Sequence, residues 1–211
     1  MSALSHATSR APLTRAPIML VAMVLAAITL SGCGINNIPT YEEQAKAAWA
    51  EVQNQYKRRG DLIPNLVETV KGYAGQESKV LKDVIEARAK ATQTQISLPP
   101  DILTNPDAMK KFADAQASLQ GALGRLLAVQ EAYPDLKSNA NFLALQSQIE
   151  GTENRISVAR RDYILAVQQY NIEISTIPGR WWRSLMYPTA KPMAEFAASD
   201  AEQAAPQVKF N

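Results

Sequence analysis

The sequence predicts an all-α fold: an antiparallel up-and-down helical bundle of three to four long helices with an irregular C-terminal tail. Three observations carry that expectation. Apolar residues recur at three- and four-residue steps over long stretches, and no run alternates as a half-buried strand would. A seven-residue apolar repeat runs through residues 142 to 177. Prolines and glycines fall mostly where these periodic stretches begin or end.

The N-terminus comes first. Residues 1–15 contain Arg10 and Arg15 and no acidic residue, Ala16–Leu30 is continuously apolar, and Leu30-Ser31-Gly32-Cys33 follows. A basic flank, an apolar run and small residues before a cut describe a secretory signal. Leu-Ser-Gly-Cys resembles a bacterial lipobox. That resemblance implies lipidation at Cys33 and cleavage before it, and Gly34 in place of Asp resembles the outer-membrane sorting pattern of a two-membrane cell. The alternative is an uncleaved single-pass anchor. Ala16–Leu30 spans about 22 Å as a helix, short of the roughly 30 Å hydrocarbon core, and only extension to Ile35 brings it near spanning length. Residues 1–32 are therefore read as signal peptide or N-terminal membrane segment, and 33–39 as the lipobox Cys and a short tether. The helical bundle is expected over 40–178, and a tail with a short helix over 179–211. Either route places the bulk of the chain outside the cytoplasm.

Processing changes the composition. Of 22 Lys and Arg, Arg10 and Arg15 lie in the leader, which leaves 20 basic groups against 20 acidic ones. A neutral domain lacks the broad basic footprint of a nucleic-acid binder. Cys33 and His6 are the only residues of their kinds, so a processed chain has no imidazole and no free thiol. That excludes Cys and His nucleophiles and bases, Cys/His zinc sites, and the Glu-x-x-His pairs of a di-iron bundle. No cofactor, no metal, no catalytic residue and no enzymatic activity are expected.

The first helix is predicted from Tyr41 to Arg58, with Tyr41, Ala45, Ala48, Val52 and Tyr56 on one face. Gly60 interrupts it. Asp61 is placed as N-cap of a second helix with Pro64 in its first turn, running to about Ala91; a kinked continuation of the first helix is the alternative. Pro99-Pro100 marks a loop over 96–104. Asn105-Pro106 reads as N-cap and first residue of a third helix, with Met109, Phe112, Leu119, Leu123 and Leu126 as its apolar face and Gln116 and Gln130 as polar gaps. Tyr133-Pro134 ends it near Ala132. The fourth helix runs from Asn139 to Thr176. Phe142, Ile149, Ile156, Tyr163, Tyr170 and Ile177 form its seam, and Leu145, Thr152, Ala159 and Ala166 are companion positions. Gly121 and Gly124 are expected at close helix contacts. After Pro178-Gly179 the tail is mixed, with a short helix near 192–205.

Several motifs in combination resemble the LemA family over roughly residues 36 to 211. They are Ala47-Ala48-Trp49, Arg58-Arg59-Gly60-Asp61-Leu62-Ile63-Pro64-Asn65-Leu66-Val67, Val70-Lys71-Gly72-Tyr73, and Glu86-Ala87-Arg88. The C-terminal half adds Glu131-Ala132-Tyr133-Pro134-Asp135-Leu136-Lys137, Glu150-Gly151-Thr152-Glu153-Asn154-Arg155-Ile156, Arg160-Arg161-Asp162-Tyr163 and Tyr170-Asn171. The resemblance implies a helical bundle on a membrane segment or lipid anchor and implies no reaction. The chain departs from the family at Ile164, where Asn is usual, and around Trp181-Trp182.

Two constellations stand as candidate partner-binding sites. Arg58, Arg59 and Asp61 read as a site for an anion or acidic partner, or as helix-end capping and interhelical pairing. Trp181 and Trp182, flanked by arginines, read as a docking surface for lipid or protein, or as a plug folded against the bundle end. The expected partners are membrane lipid through the N-terminal anchor and envelope proteins. The leading expectation is an interaction or scaffold protein of the envelope; the alternative is a ligand-binding or enzymatic lipoprotein using carboxylates and arginines. The polar stretch from Glu150 to Asp162 is expected on a solvated helix face, with Glu153 pairing to nearby arginines.

Overall fold

Helical periodicity produces helices throughout the part of the chain that the computed structural model describes, residues 34–196. Six α-helices occur there: α1 (Asn37–Tyr73), α2 (Ser78–Ile96), α3 (Pro106–Ala128), α4 (Pro134–Lys137), α5 (Ala140–Ser175) and α6 (Gly179–Met186). Two 3-10 turns, Ile102–Thr104 and Val129–Ala132, join them, and no strand is present among the described residues. No described helix is long and apolar enough to cross a membrane. Cys33 and the apolar run 16–30 lie outside the described residues.

α1 and α5 make the most extensive helix pair. Asn37 meets Glu173 at one end, Arg59 meets Glu153 midway and Tyr73 meets Asn139 at the other, so the two run antiparallel. α2 turns back along α1, with Arg88 on the Gly60 carbonyl and Gln95 on the Gln53 carbonyl, and α3 packs on α2. The predicted N-cap at Asn105 forms, and Asn139, expected only as the start of the fourth helix, caps that helix as well. The Asn105 side chain accepts from Ala108 N at 3.1 Å, and that of Asn139 from Phe142 N at 2.9 Å.

The break between the first two helices is displaced from its expected place. α1 runs unbroken through Gly60 and Pro64, so Asp61 is no N-cap; it pairs with Lys57 at 2.9 Å on an exposed face. The break comes at Ala74–Glu77 instead, inside the stretch predicted as one helix from Asp61 to Ala91. Gly75 sits there against the Lys71 carbonyl, 3.1 Å from where a Cβ would lie. Pro64 has no N–H for the carbonyl four residues back, which is that of Gly60. Arg88 Nε supplies the missing donor at 2.8 Å. The proline thus costs α1 a hydrogen bond that α2 replaces.

Other local expectations shift for comparable reasons. Ile177 is 64% exposed because α5 ends at Ser175, and Ile174 closes the buried seam in its place. Gly121 and Gly124 face solvent rather than a helix contact, and Ala122 and Leu123 between them are buried. α4 and α6 occupy stretches expected to be irregular. Residues 192–196 of the expected short helix are not helical; the remainder lies outside the described residues.

Restoring the missing amide tests this account. Arg88→Met alone is expected to lower unfolding stability by about 1.5–3 kcal/mol, the range for a hydrogen bond from a charged donor. In a Pro64→Ala background, where residue 64 regains its N–H, the same change costs less than half as much in a double-mutant denaturation cycle.

Candidate functional site

The apolar core falls into two clusters. One gathers Trp49, Tyr56, Phe112, Ile156 and Tyr163; the other gathers Ile63, Leu66, Leu119, Leu126 and Ile149. Between them lie Arg59, Gln116 and Thr152, the buried polar residues of the described chain. Each sits between members of the two clusters on its own helix: Arg59 on α1, Gln116 on α3, Thr152 on α5. A polar layer therefore crosses the core at one level.

Arg59 organises this layer at 1% exposure. Its Nη1 donates to Glu153 Oε1 at 2.9 Å, and its Nη2 donates to Gln116 Oε1 at 2.7 Å and to the Gln116 carbonyl at 3.1 Å. The guanidinium lies 5.0 Å from the Tyr56 ring centroid, where the ring face attracts a cation. A buried charge needs such a set, because each partner offsets the cost of removing it from water. Thr152 satisfies itself by donating to the Gln148 carbonyl at 2.7 Å. A cavity of about 70 Å³ adjoins the layer, bordered by Gln120, Ser157, Arg160 and Phe196.

The structure does not bring the first predicted constellation together. Arg59 points inward, and Arg58 and Asp61 are exposed. Its interhelical-pairing reading holds for Arg59 alone. Glu153, expected to pair with nearby arginines on a solvated face, reaches across to Arg59 because Thr152 beside it turns into the core. Gln116 gave a signal as a polar gap in an apolar face. The partners of that gap were invisible, since they lie 57 residues away.

A second polar arrangement holds the chain after α6. The Asn171 side chain clamps Met193 by its backbone, donating to the carbonyl at 2.9 Å and accepting from the N–H at 2.8 Å. Tyr163 Oη donates to the Ala194 carbonyl at 2.8 Å, and Ala194 N donates to the Leu103 carbonyl at 2.6 Å. Phe196 enters the aromatic cluster with ring centroids 6.3 Å from both Trp49 and Phe112, and Arg160 lies over its face at 4.6 Å. Burial, reinforced by nearby Glu195, holds the Tyr163 phenol well above its usual pKa. Burial raises Tyr170 too, with Glu42 adding to it.

Trp181 and Trp182 lie on α6, which covers the bundle end where α1 starts and α5 stops. Trp182 is half-buried and packs on the aromatic cluster, as a plug would. Trp181 is 59% exposed. The plug position is thus taken by Trp182 and not by Trp181. Among the described residues no group of three or more His, Cys, Asp or Glu is placed to hold a metal ion.

The profile of the LemA family matches residues 48–210. Magnetosome protein MamQ 2 of Paramagnetospirillum magneticum is 26% identical over 201 residues, covering 89% of this chain and 73% of that protein. Magnetosome protein MamQ of Magnetospirillum gryphiswaldense is 24% identical over 183 residues, covering 78% and 67%. Protein LemA of Metamycoplasma hominis is 25% identical over 141 residues, covering 67% and 59%.

Removing one member of the polar layer should cost more than removing all of it. Arg59→Met strands Gln116, and urea unfolding is expected to show a loss of about 3–5 kcal/mol, the range for a broken buried pair. Adding Gln116→Leu and Glu153→Leu should recover most of it, since an apolar layer leaves nothing unpaired. The raised Tyr163 phenol generates an alkaline prediction. Its neutral form is favoured by the fold, so its contribution is complete below the unfolded value of about 10 and declines as pH rises past it. Tyr163→Phe should lower stability at neutral pH by about 1 kcal/mol and flatten that alkaline decline in pH-dependent melting, leaving a residual slope from Tyr170 and from Lys46, which Glu42 and Glu43 hold above its usual value.

Proposed function

We propose that this chain, which belongs to the LemA family, is a membrane-tethered interaction scaffold of the cell envelope. In this reading an up-and-down bundle stands outside the cytoplasm and presents a helix face to envelope proteins. The N-terminal segment holds it, through lipid on Cys33 or as a retained span. In a two-membrane cell the lipidated form belongs on the periplasmic side of the outer membrane.

One observation carries the interaction reading. Val158, Leu165 and Ile172 repeat every seven residues on the outer side of α5 and are 49%, 55% and 53% exposed. The buried face of α5 is already covered by α1, so this is a second apolar stripe with the period that suits a partner helix. An open groove of about 550 Å³ borders Val158, with Glu51, Gln55, Asn154, Arg155 and Asp162 around it. Charged and amide groups beside an apolar stripe are the ingredients of a specific helical interface.

The ligand-binding or enzymatic alternative has the cavity beside Arg59 in its favour. Its volume of about 70 Å³ and the about 230 Å³ of the adjoining cleft lined by Asp61, Arg88 and Gln116 are both below the several hundred of an ordinary small-molecule site. Arg59 is already engaged by Glu153 and Gln116. The scaffold reading is therefore preferred.

Photo-crosslinking in intact cells tests it. With a benzophenone side chain at position 165 of the full chain, the expected result is a discrete protein adduct in the membrane fraction. The same probe at exposed Lys90 on α2 should give none, and Val158→Asp should abolish the adduct at 165. Equal labelling at the two positions would count against the interface, and recovery of the chain in the soluble fraction would count against the tether.

A further inference from the structure

The outward side of α6 has no partner among the described residues, although it is strongly apolar. Trp181 and Leu185, one turn apart, are 59% and 74% exposed, and Met186 beside them is 57% exposed; Ile177, in the turn that leads into α6, is 64% exposed. The opposite side is fixed to the bundle. Trp182 packs on the aromatic cluster, Arg183 Nε donates to the Ala190 carbonyl at 2.9 Å, and Gly179 lies so close to the Glu173 carbonyl that a Cβ has no room. α6 is therefore held in one orientation with its apolar side outward.

This is also the end from which the N-terminal segment leaves. Asn37, the first residue of α1, donates to Glu173 Oε1 at 3.3 Å, and Glu173 abuts Gly179. From Leu30, the last residue of the apolar run, to Asn37 the chain reaches at most about 25 Å, and from Cys33 about 14 Å. Whichever anchor operates, α6 is kept within that reach of the bilayer. The charge fits as well. Residues 174–194 contain Arg180, Arg183 and Lys191 and no carboxylate.

We propose that α6 is a membrane-interface foot, whose Trp181–Leu185 side enters the headgroup–acyl boundary of the leaflet that holds the N-terminal segment, while Arg180 and Lys191 meet anionic headgroups. Trp and Leu on one side of a short helix with basic residues beside them are the composition of an interfacial helix. Anionic headgroups attract such cations at close range. The foot deepens the tether reading and rests on it. It sets the bundle's long axis relative to the membrane and leaves the α5 stripe free on the flank.

The full chain reconstituted with brominated phosphatidylcholine and phosphatidylglycerol tests the foot. The chain's three tryptophans are Trp49, Trp181 and Trp182, so the emission reports the domain and not the leader. Trp49 is 6% exposed in the core. Brominated lipid is expected to quench the emission, Trp181→Phe should remove most of that quenching, and Leu185→Asp or omission of phosphatidylglycerol should weaken it. Flotation with the vesicles without quenching, or quenching that persists in Trp181→Phe, overturns the foot and leaves the tether standing. Failure to float overturns both. Trp181 shielded from acrylamide yet unreached by brominated lipid assigns this side to a second copy of the chain and also overturns the foot. Circular dichroism of each variant confirms that the helices remain.

Discussion

The Arg59 guanidinium is the constraint around which the rest of the bundle is arranged. It is buried, and it reaches α5 through Glu153 and α3 through Gln116. An apolar seam tolerates axial sliding, because one Leu or Ile layer resembles the next. A buried cation does not, since sliding by one turn removes its carboxylate and both oxygens of its glutamine. The polar layer therefore fixes the register of α1 against α3 and α5 and divides the core into two clusters. Its net stabilisation is modest against an apolar layer of the same shape; what it adds is one allowed alignment.

Two further polar contacts connect parts of the chain that look unrelated in sequence. Pro64 leaves the Gly60 carbonyl without its helical donor, and Arg88 of α2 fills the gap. Asn171 and Tyr163 hold the segment after α6 by its backbone, and Phe196 completes the aromatic cluster. The stretches that resemble the LemA family thus include residues that bind the elements to one another. Arg59, Arg88, Glu153, Tyr163 and Asn171 all act in this way. Ile164, where Asn is usual, packs partly buried against the aromatic cluster, so no polar task remains for that position in this chain.

The surfaces proposed for recognition lie on what these contacts leave over. With the interior committed to packing and register, the chemistry available for recognition is on the outside of α5 and of α6. The two surfaces differ in kind. The α5 stripe has the seven-residue period of a helix partner. The α6 side combines Trp and Leu with nearby cations at the end where the N-terminal segment emerges. The proposed tether at one end and the proposed recognition along the flank leave the small cavity beside Arg59 without a role in binding.

The sequence by itself determined the helical class, the cap at Asn105, the start of α5 at Asn139, and most of the α5 seam. Each depends on neighbours within one or two turns, and local spacing records such relations. It also determined that a processed chain carries neither imidazole nor thiol. Tertiary structure alone decided where α1 breaks. A glycine and a proline inside a helix are local costs, whereas Arg88, 28 residues from Gly60, offsets one of them only once α2 has folded back. It likewise decided that Arg59 is interior while Arg58 beside it is exposed, and that Trp182 is half-buried while Trp181 faces outward. Adjacent residues on a helix point about 100° apart, and which of them meets the core depends on partners that no local window contains.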